Sequence, residues 1–113
     1  MENDAQTHPY TGLTPDVVLN ALEGVGLQCD GSQLALNSYE NRVYQIGIVD
    51  AQPVVAKFYR PDRWSDAAIL EEHAFALELQ EREIPVVAPL ALAGAKTLHA
   101  AEGFRFAVFP RCG

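Results

Sequence analysis

Val54-Val-Ala-Lys-Phe-Tyr-Arg60 is a short apolar run with a lysine in its middle. In a β-strand successive side chains alternate between faces, so Val55, Lys57 and Tyr59 share one face while Val54, Ala56 and Phe58 share the other. Both faces are largely apolar, which predicts a strand covered on both sides. An ammonium with so little water needs an anionic partner or must give up its proton, unless its long stem carries the charge out past its neighbours to solvent. The reading of the chain turns on which of these holds for Lys57.

At 113 residues the chain has the length of one domain with a single modest core. Its net charge of −7 leaves no basic patch, so neither nucleic acid nor an anionic membrane is an expected partner. The amino terminus, Met1-Glu-Asn-Asp4, is acidic where a secretory signal is basic and then apolar, and no run approaches the roughly 20 apolar residues of a membrane span. Cys29 and Cys112 are the two cysteines, with no CxxC and no nearby histidine pair, so a reduced cytoplasmic setting is expected and a zinc site is not.

Residues 1–13 read as a flexible arm, polar and unpatterned as far as Thr11. Thr14-Pro15-Asp16 then starts a short helix, with Val17, Val18, Ala21 and Leu22 as its apolar stripe and Gly24 as its stop. The stretch 27–36 reads as a bent strand or a tight hairpin around Asp30-Gly31. A polar turn over 37–41 leads to a strand over 42–49, and Asp50-Ala-Gln-Pro53 connects it to the lysine strand. Beyond Arg60-Pro61, Ser65 and Asp66 offer a cap to the longest helical pattern, residues 67–82, with Ile69, Leu70, Phe75, Ala76 and Leu79 apolar. The spacing predicts a further strand over 86–92, held to an edge or a bulge by Pro89, with Thr97-Leu98 as its partner and 103–109 as the last strand. The apolar last strand stops after four more residues, as a fragment of a longer chain would.

The predicted class is α+β: five antiparallel strands, a short helix at the start, and one long helix inserted between strands three and four. With a lysine in the third strand and an acid in that helix, this order resembles the amino-terminal lobe of the protein-kinase-like fold. More narrowly, Leu36-Asn-Ser-Tyr-Glu-Asn-Arg-Val-Tyr44, Val55-Ala-Lys-Phe-Tyr-Arg-Pro61, Ile69-Leu-Glu-Glu-His73 and Phe104-Arg-Phe-Ala-Val-Phe-Pro110 resemble the bacterial stress response kinase A family. Members of that family are cytosolic serine/threonine kinases whose fold is closest to aminoglycoside and choline phosphotransferases.

The resemblance implies roles for particular residues. Lys57 takes the place of the lysine that contacts the α and β phosphates of ATP and pairs with an acid of the following helix. That acid is Glu71 or Glu72, which face directions about 100° apart. Glu72 is favoured because Phe75, Ala76 and Leu79 follow it on its own face. In the loop before strand two the three glycine positions of ordinary kinases hold Leu36, Ser38 and Asn41, so Ser38 offers its hydroxyl and N–H to ATP where glycines would let the backbone approach. Val43 and Val55 would line the adenine, and Val108 would guard the back of the pocket. A carbonyl from Phe109 and an N–H from Arg111 would read the adenine edge, with Pro110 between them lacking a donor. The same residues also fit plain structural parts: a turn-capping serine, core valines, a solvated glutamate.

The base and the magnesium ligands of this fold come from the carboxy-terminal lobe, which nothing in the chain resembles. The implied organisation is a lobe over 14–109 and the start of a hinge over 110–113. Its implied partners are MgATP, a protein substrate and its own carboxy-terminal lobe. Two other readings stay open: a small-molecule phosphotransferase of the aminoglycoside, choline or homoserine kinase type, and a non-catalytic interaction module with Lys57 in a structural ion pair. His8, His73 and His99 form no ligand cluster, and Trp64 with Tyr59 and Arg60 closes the strand-to-helix connection.

Overall fold

The computed structural model describes residues 10–36 and 41–111. Helix α1 spans Pro15–Gly24, where the Thr14 hydroxyl accepts from the Val17 N–H and Pro15 occupies the first turn. Strands β1 (Cys29–Leu36), β2 (Arg42–Ile48) and β3 (Ala51–Phe58) follow as an antiparallel meander. Helix α2 (Asp66–Glu81) comes next, capped by Ser65, whose hydroxyl accepts from the Ala68 N–H at 3.1 Å. A single 3₁₀ turn (Ala93–Ala95), β4 (His99–Ala101) and β5 (Phe104–Pro110) complete the order. The sheet runs β1-β2-β3-β5-β4 with every pair antiparallel, so β3 lies at its centre. This is the α+β arrangement of a kinase-like amino-terminal lobe.

Alternation along β3 divides the molecule. Val54, Ala56 and Phe58 are buried on one face with Ile46, Phe106 and Val108, and α1 covers them with Val18, Ala21 and Leu22. The Phe58 and Phe106 rings stack there at 5.0 Å, and truncating either to alanine costs about 3–5 kcal/mol. On the other face Tyr59, Ala107 and Ile69 form a smaller cluster, with Leu98 and Phe109 against it, so α2 packs on the Lys57 side.

Several elements depart from the sequence pattern. Of residues 1–13, only 10–13 are described, and Tyr10 is buried: its ring stacks on Phe104 at 6.3 Å and its hydroxyl donates to the Phe58 carbonyl. The stretch around Asp30-Gly31 is the bent strand rather than the hairpin, with a bulge between Cys29 and Gln33 and Gly31 at φ 96°. The hairpin turn is Val49-Asp50 alone, with Asp50 at φ 55°, and pairing has begun by Ala51. No strand forms over 86–92. With Pro85 and Pro89 unable to donate, the segment makes isolated bonds instead, Leu90 N–H to the Val108 carbonyl at 2.7 Å and a bridge from Leu92 to Lys96. The fourth strand is instead His99–Ala101, just beyond the expected Thr97-Leu98.

Candidate functional site

Register sets the site before any side chain is considered. Lys57 lies opposite Val43 of β2 and Ala107 of β5, while Val55 lies opposite Gln45 and Phe109. Directly paired residues point the same way, so Val43, Val55, Lys57 and Phe109 share one face, beneath α2. The Lys57 amine is partly buried between two rings, 5.2 Å from the centre of Tyr59 and 6.0 Å from that of Phe109. Aromatic faces attract a cation, more strongly as water is excluded. Among the described residues no carboxylate stands within the 4.0 Å of an ion pair with it.

Glu72 nevertheless faces the same space. Lys57, Tyr59, Asn41, Trp64, Ala68, Ile69 and Glu72 line one concavity of about 200 Å³. The phenol of Tyr59 is pushed well up, first by burial and then by the negative charge of Glu72, while Arg105 opposes the shift. Both acids of the pair are exposed, but Glu72 lines this pocket and Glu71 does not.

The stripe expected to orient Glu72 is different from the one observed. Phe75 is 61% exposed and Leu70 45%, while the residues α2 buries are Ile69 and His73. Glu72 therefore sits at the margin of the buried stripe, one residue before its second member. Asn41, at the last of the absent glycine positions, accepts from the Arg60 N–H at 3.1 Å and ties the start of β2 to the end of β3. Ser38 lies outside the described residues. Arg111 is exposed just past β5.

Two polar groups on this face have partners that the sequence reading missed. His73, 3% exposed, has Nε2 at 2.9 Å from the Tyr59 hydroxyl and Nδ1 at 2.8 Å from the Thr97 hydroxyl. Arg105 of β5 pairs with Asp66 in the first turn of α2 at 2.7 Å. A lone histidine within an apolar stripe at helical spacing from Ile69 was the available signal. On the far flank of α2, His73, Thr97, His99, Leu70, Leu77 and Arg105 help to line an open groove of about 830 Å³. That groove is larger than the pocket at Lys57. Among the described residues no three His, Cys, Asp or Glu side chains stand together as a metal cluster would require, and no helix is long and apolar enough to cross a membrane.

A half-buried amine with no ion-pair partner among the described residues, facing a carboxylate across a small pocket at the centre of an antiparallel sheet, can hold an oxyanion such as a phosphate. Residues 32–113 match the model of the phosphotransferase enzyme family, and the chain belongs to that family. It is 50% identical over all 113 of its residues to stress response kinase A of Escherichia coli K12, and 50% identical over 104 residues, 92% of the chain, to stress response kinase A of Salmonella choleraesuis. A Salmonella typhimurium relative named serine/threonine protein kinase RdoA is also 50% identical over 104 residues. The chain spans about a third of the length of the curated relatives it matches, 34% of the Escherichia coli protein.

Proposed function

We propose that this chain is the nucleotide-holding lobe, with the start of a hinge over 110–113, of a cytoplasmic kinase active in a stress response. The whole protein then transfers the γ-phosphoryl of MgATP to serine or threonine of a protein. The observation that carries the proposal is the Lys57 amine resting on Tyr59 and Phe109 with Glu72 across the pocket. The residues fit the nucleotide. Lys57 supplies a cation for the α and β phosphates, and Glu72 steadies it once it turns. Ser38 adds a hydroxyl, Val43 and Val55 offer an apolar floor to the base, and the backbone of Phe109 and Arg111 reads its edge. ATP brings the transferable phosphoryl group and magnesium neutralises its charge. The metal ligands and the base belong to the remainder of the protein.

Direct binding of a MgATP analogue to the full-length protein tests this. Lys57→Ala and Ser38→Ala should each weaken binding, and unchanged affinity in both would favour an interaction module with a structural lysine. The family match itself favours a second reading, transfer to a small alcohol. Turnover on a protein panel against choline, homoserine and aminoglycosides separates the two.

A further inference from the structure

We propose that His73 is the positioning residue that holds Glu72 at the pocket of Lys57. The inference rests on the phosphoryl-transfer reading above and adds to it the group that fixes the helix. Helix α2 holds the sheet sparingly. Of its sixteen residues only Ile69 and His73 are buried, and Asp66 pairs with Arg105 of the sheet through a carboxylate that is 69% exposed. Ile69 gives adhesion without direction, since apolar contact tolerates sliding and rotation. His73 gives direction. It is the residue next to Glu72, and its two ring nitrogens reach two separate elements, Tyr59 at the end of β3 and Thr97 ahead of β4.

The proton positions follow from the partners. Tyr59 stays protonated, and among the described residues its hydroxyl hydrogen has no acceptor other than His73 Nε2. Tyr59 Oη–H therefore donates to Nε2, and Nδ1–H donates to Thr97 Oγ1, which is the neutral imidazole with both nitrogens used. The groups facing the ring agree with the neutral form: burial lowers its affinity for a proton, Lys57 on β3 and His99 on β4 lower it further, and Glu72 alone opposes them. Phe109 of β5 meets the ring edge-on at 6.4 Å. Tyr59 is thus shared, its ring under the Lys57 amine and its hydroxyl on the residue beside Glu72. A rotation of α2 that carries Glu72 away must break both hydrogen bonds of His73, so the imidazole fixes the face of α2 that presents Glu72 to the Lys57 pocket.

The experiment is a double-mutant cycle in the full-length protein, reading kcat and KM for MgATP. His73→Phe keeps a ring of similar size and removes both bonds; Tyr59→Phe keeps the ring under Lys57 and removes only the hydroxyl. Each is expected to lower kcat about tenfold with a smaller change in KM. In a Glu72→Gln background neither should lower kcat further, because their effect passes through Glu72. A merely structural histidine would cost the same factor in both backgrounds, and that result overturns the proposal, as does full kcat in both single variants while Glu72→Gln is impaired. Should His73→Phe fail to fold, Tyr59→Phe decides by itself. Full activity in both Lys57→Met and Glu72→Gln is a separate outcome, which removes the phosphoryl-transfer reading and this inference with it.

Discussion

The Lys57 amine lies 5.2 Å from the centre of the Tyr59 ring, two residues along the same strand. The partly buried cation on β3 thus rests on ring faces, where the sequence had suggested a carboxylate, and among the described residues no carboxylate claims its charge. Because no ion pair is broken, Lys57→Met should cost the fold less than about 1 kcal/mol, an apolar stem of similar length settling between Tyr59 and Phe109. Thermal denaturation checks this. A loss of several kcal/mol would mean that the lysine is a structural ion-pair member after all.

Acid should loosen the lobe through its histidines. Burial holds both His73 and His99 below the usual imidazole value of 6.5, with Lys96 adding to the effect at His99. A base whose folded pKa is depressed binds more protons unfolded, so its contribution is complete above 6.5 and is lost as pH falls toward the folded values. The melting temperature should therefore drop between about pH 7.5 and 5.5. His99 Nε2 is buried without a hydrogen-bond partner among the described residues, so His99→Phe is a permissive replacement that should flatten part of that slope. An identical slope in the variant would remove His99 from the account.

Gly47 is the residue at which the β2–β3 register shifts, and a Cβ there would run into the side chains of Ser32 and Asp30 from the bulge of β1. Those two are bonded to each other, the Asp30 carboxylate accepting from both the N–H and the hydroxyl of Ser32. Gly47→Ala must push that turn outward and should destabilise by about 1–2 kcal/mol. Chemical denaturation measures it, and no loss would show that the exposed turn yields freely.

The first turn of α2 depends on Ser65. Its hydroxyl is the acceptor for the Ala68 N–H, and Ser65→Ala should cost about 1 kcal/mol, read as a shift in denaturation midpoint. Faster amide exchange at Ala68 should accompany it.

Much of this was legible in the chain because local signals agreed with the fold. Thr14-Pro15 and Ser65 announced both helices, and the alternation through Val54–Phe58 announced a central strand covered on both sides. The segment 86–92 misled because its apolar content reads as strand, whereas Pro85 and Pro89 withhold the donors a ladder needs. The face of α2 misled for a different reason. Its inner stripe is completed by a histidine whose polarity is satisfied by Tyr59 and Thr97, partners 14 and 24 residues distant that no helical period can reveal. Glu72 lines the Lys57 pocket without pairing with the amine, and the stripe expected to orient it does not form: Phe75, meant to share its inward face, is 61% exposed. The binding roles of Val43, Val55, Phe109 and Arg111 stay with the proposal, and Ser38 falls outside the described residues.

Along β3 two instructions are interleaved, one at even positions and one at odd. Val54, Ala56 and Phe58 pack the interior under α1, while Val55, Lys57 and Tyr59 turn toward α2 and the pocket. A slip of one residue exchanges the two sets, driving an ammonium into the core and a phenylalanine into the pocket. Adding or deleting a single residue in the Val49-Asp50 turn would therefore be a frameshift in three dimensions, erasing foldedness and chemistry together.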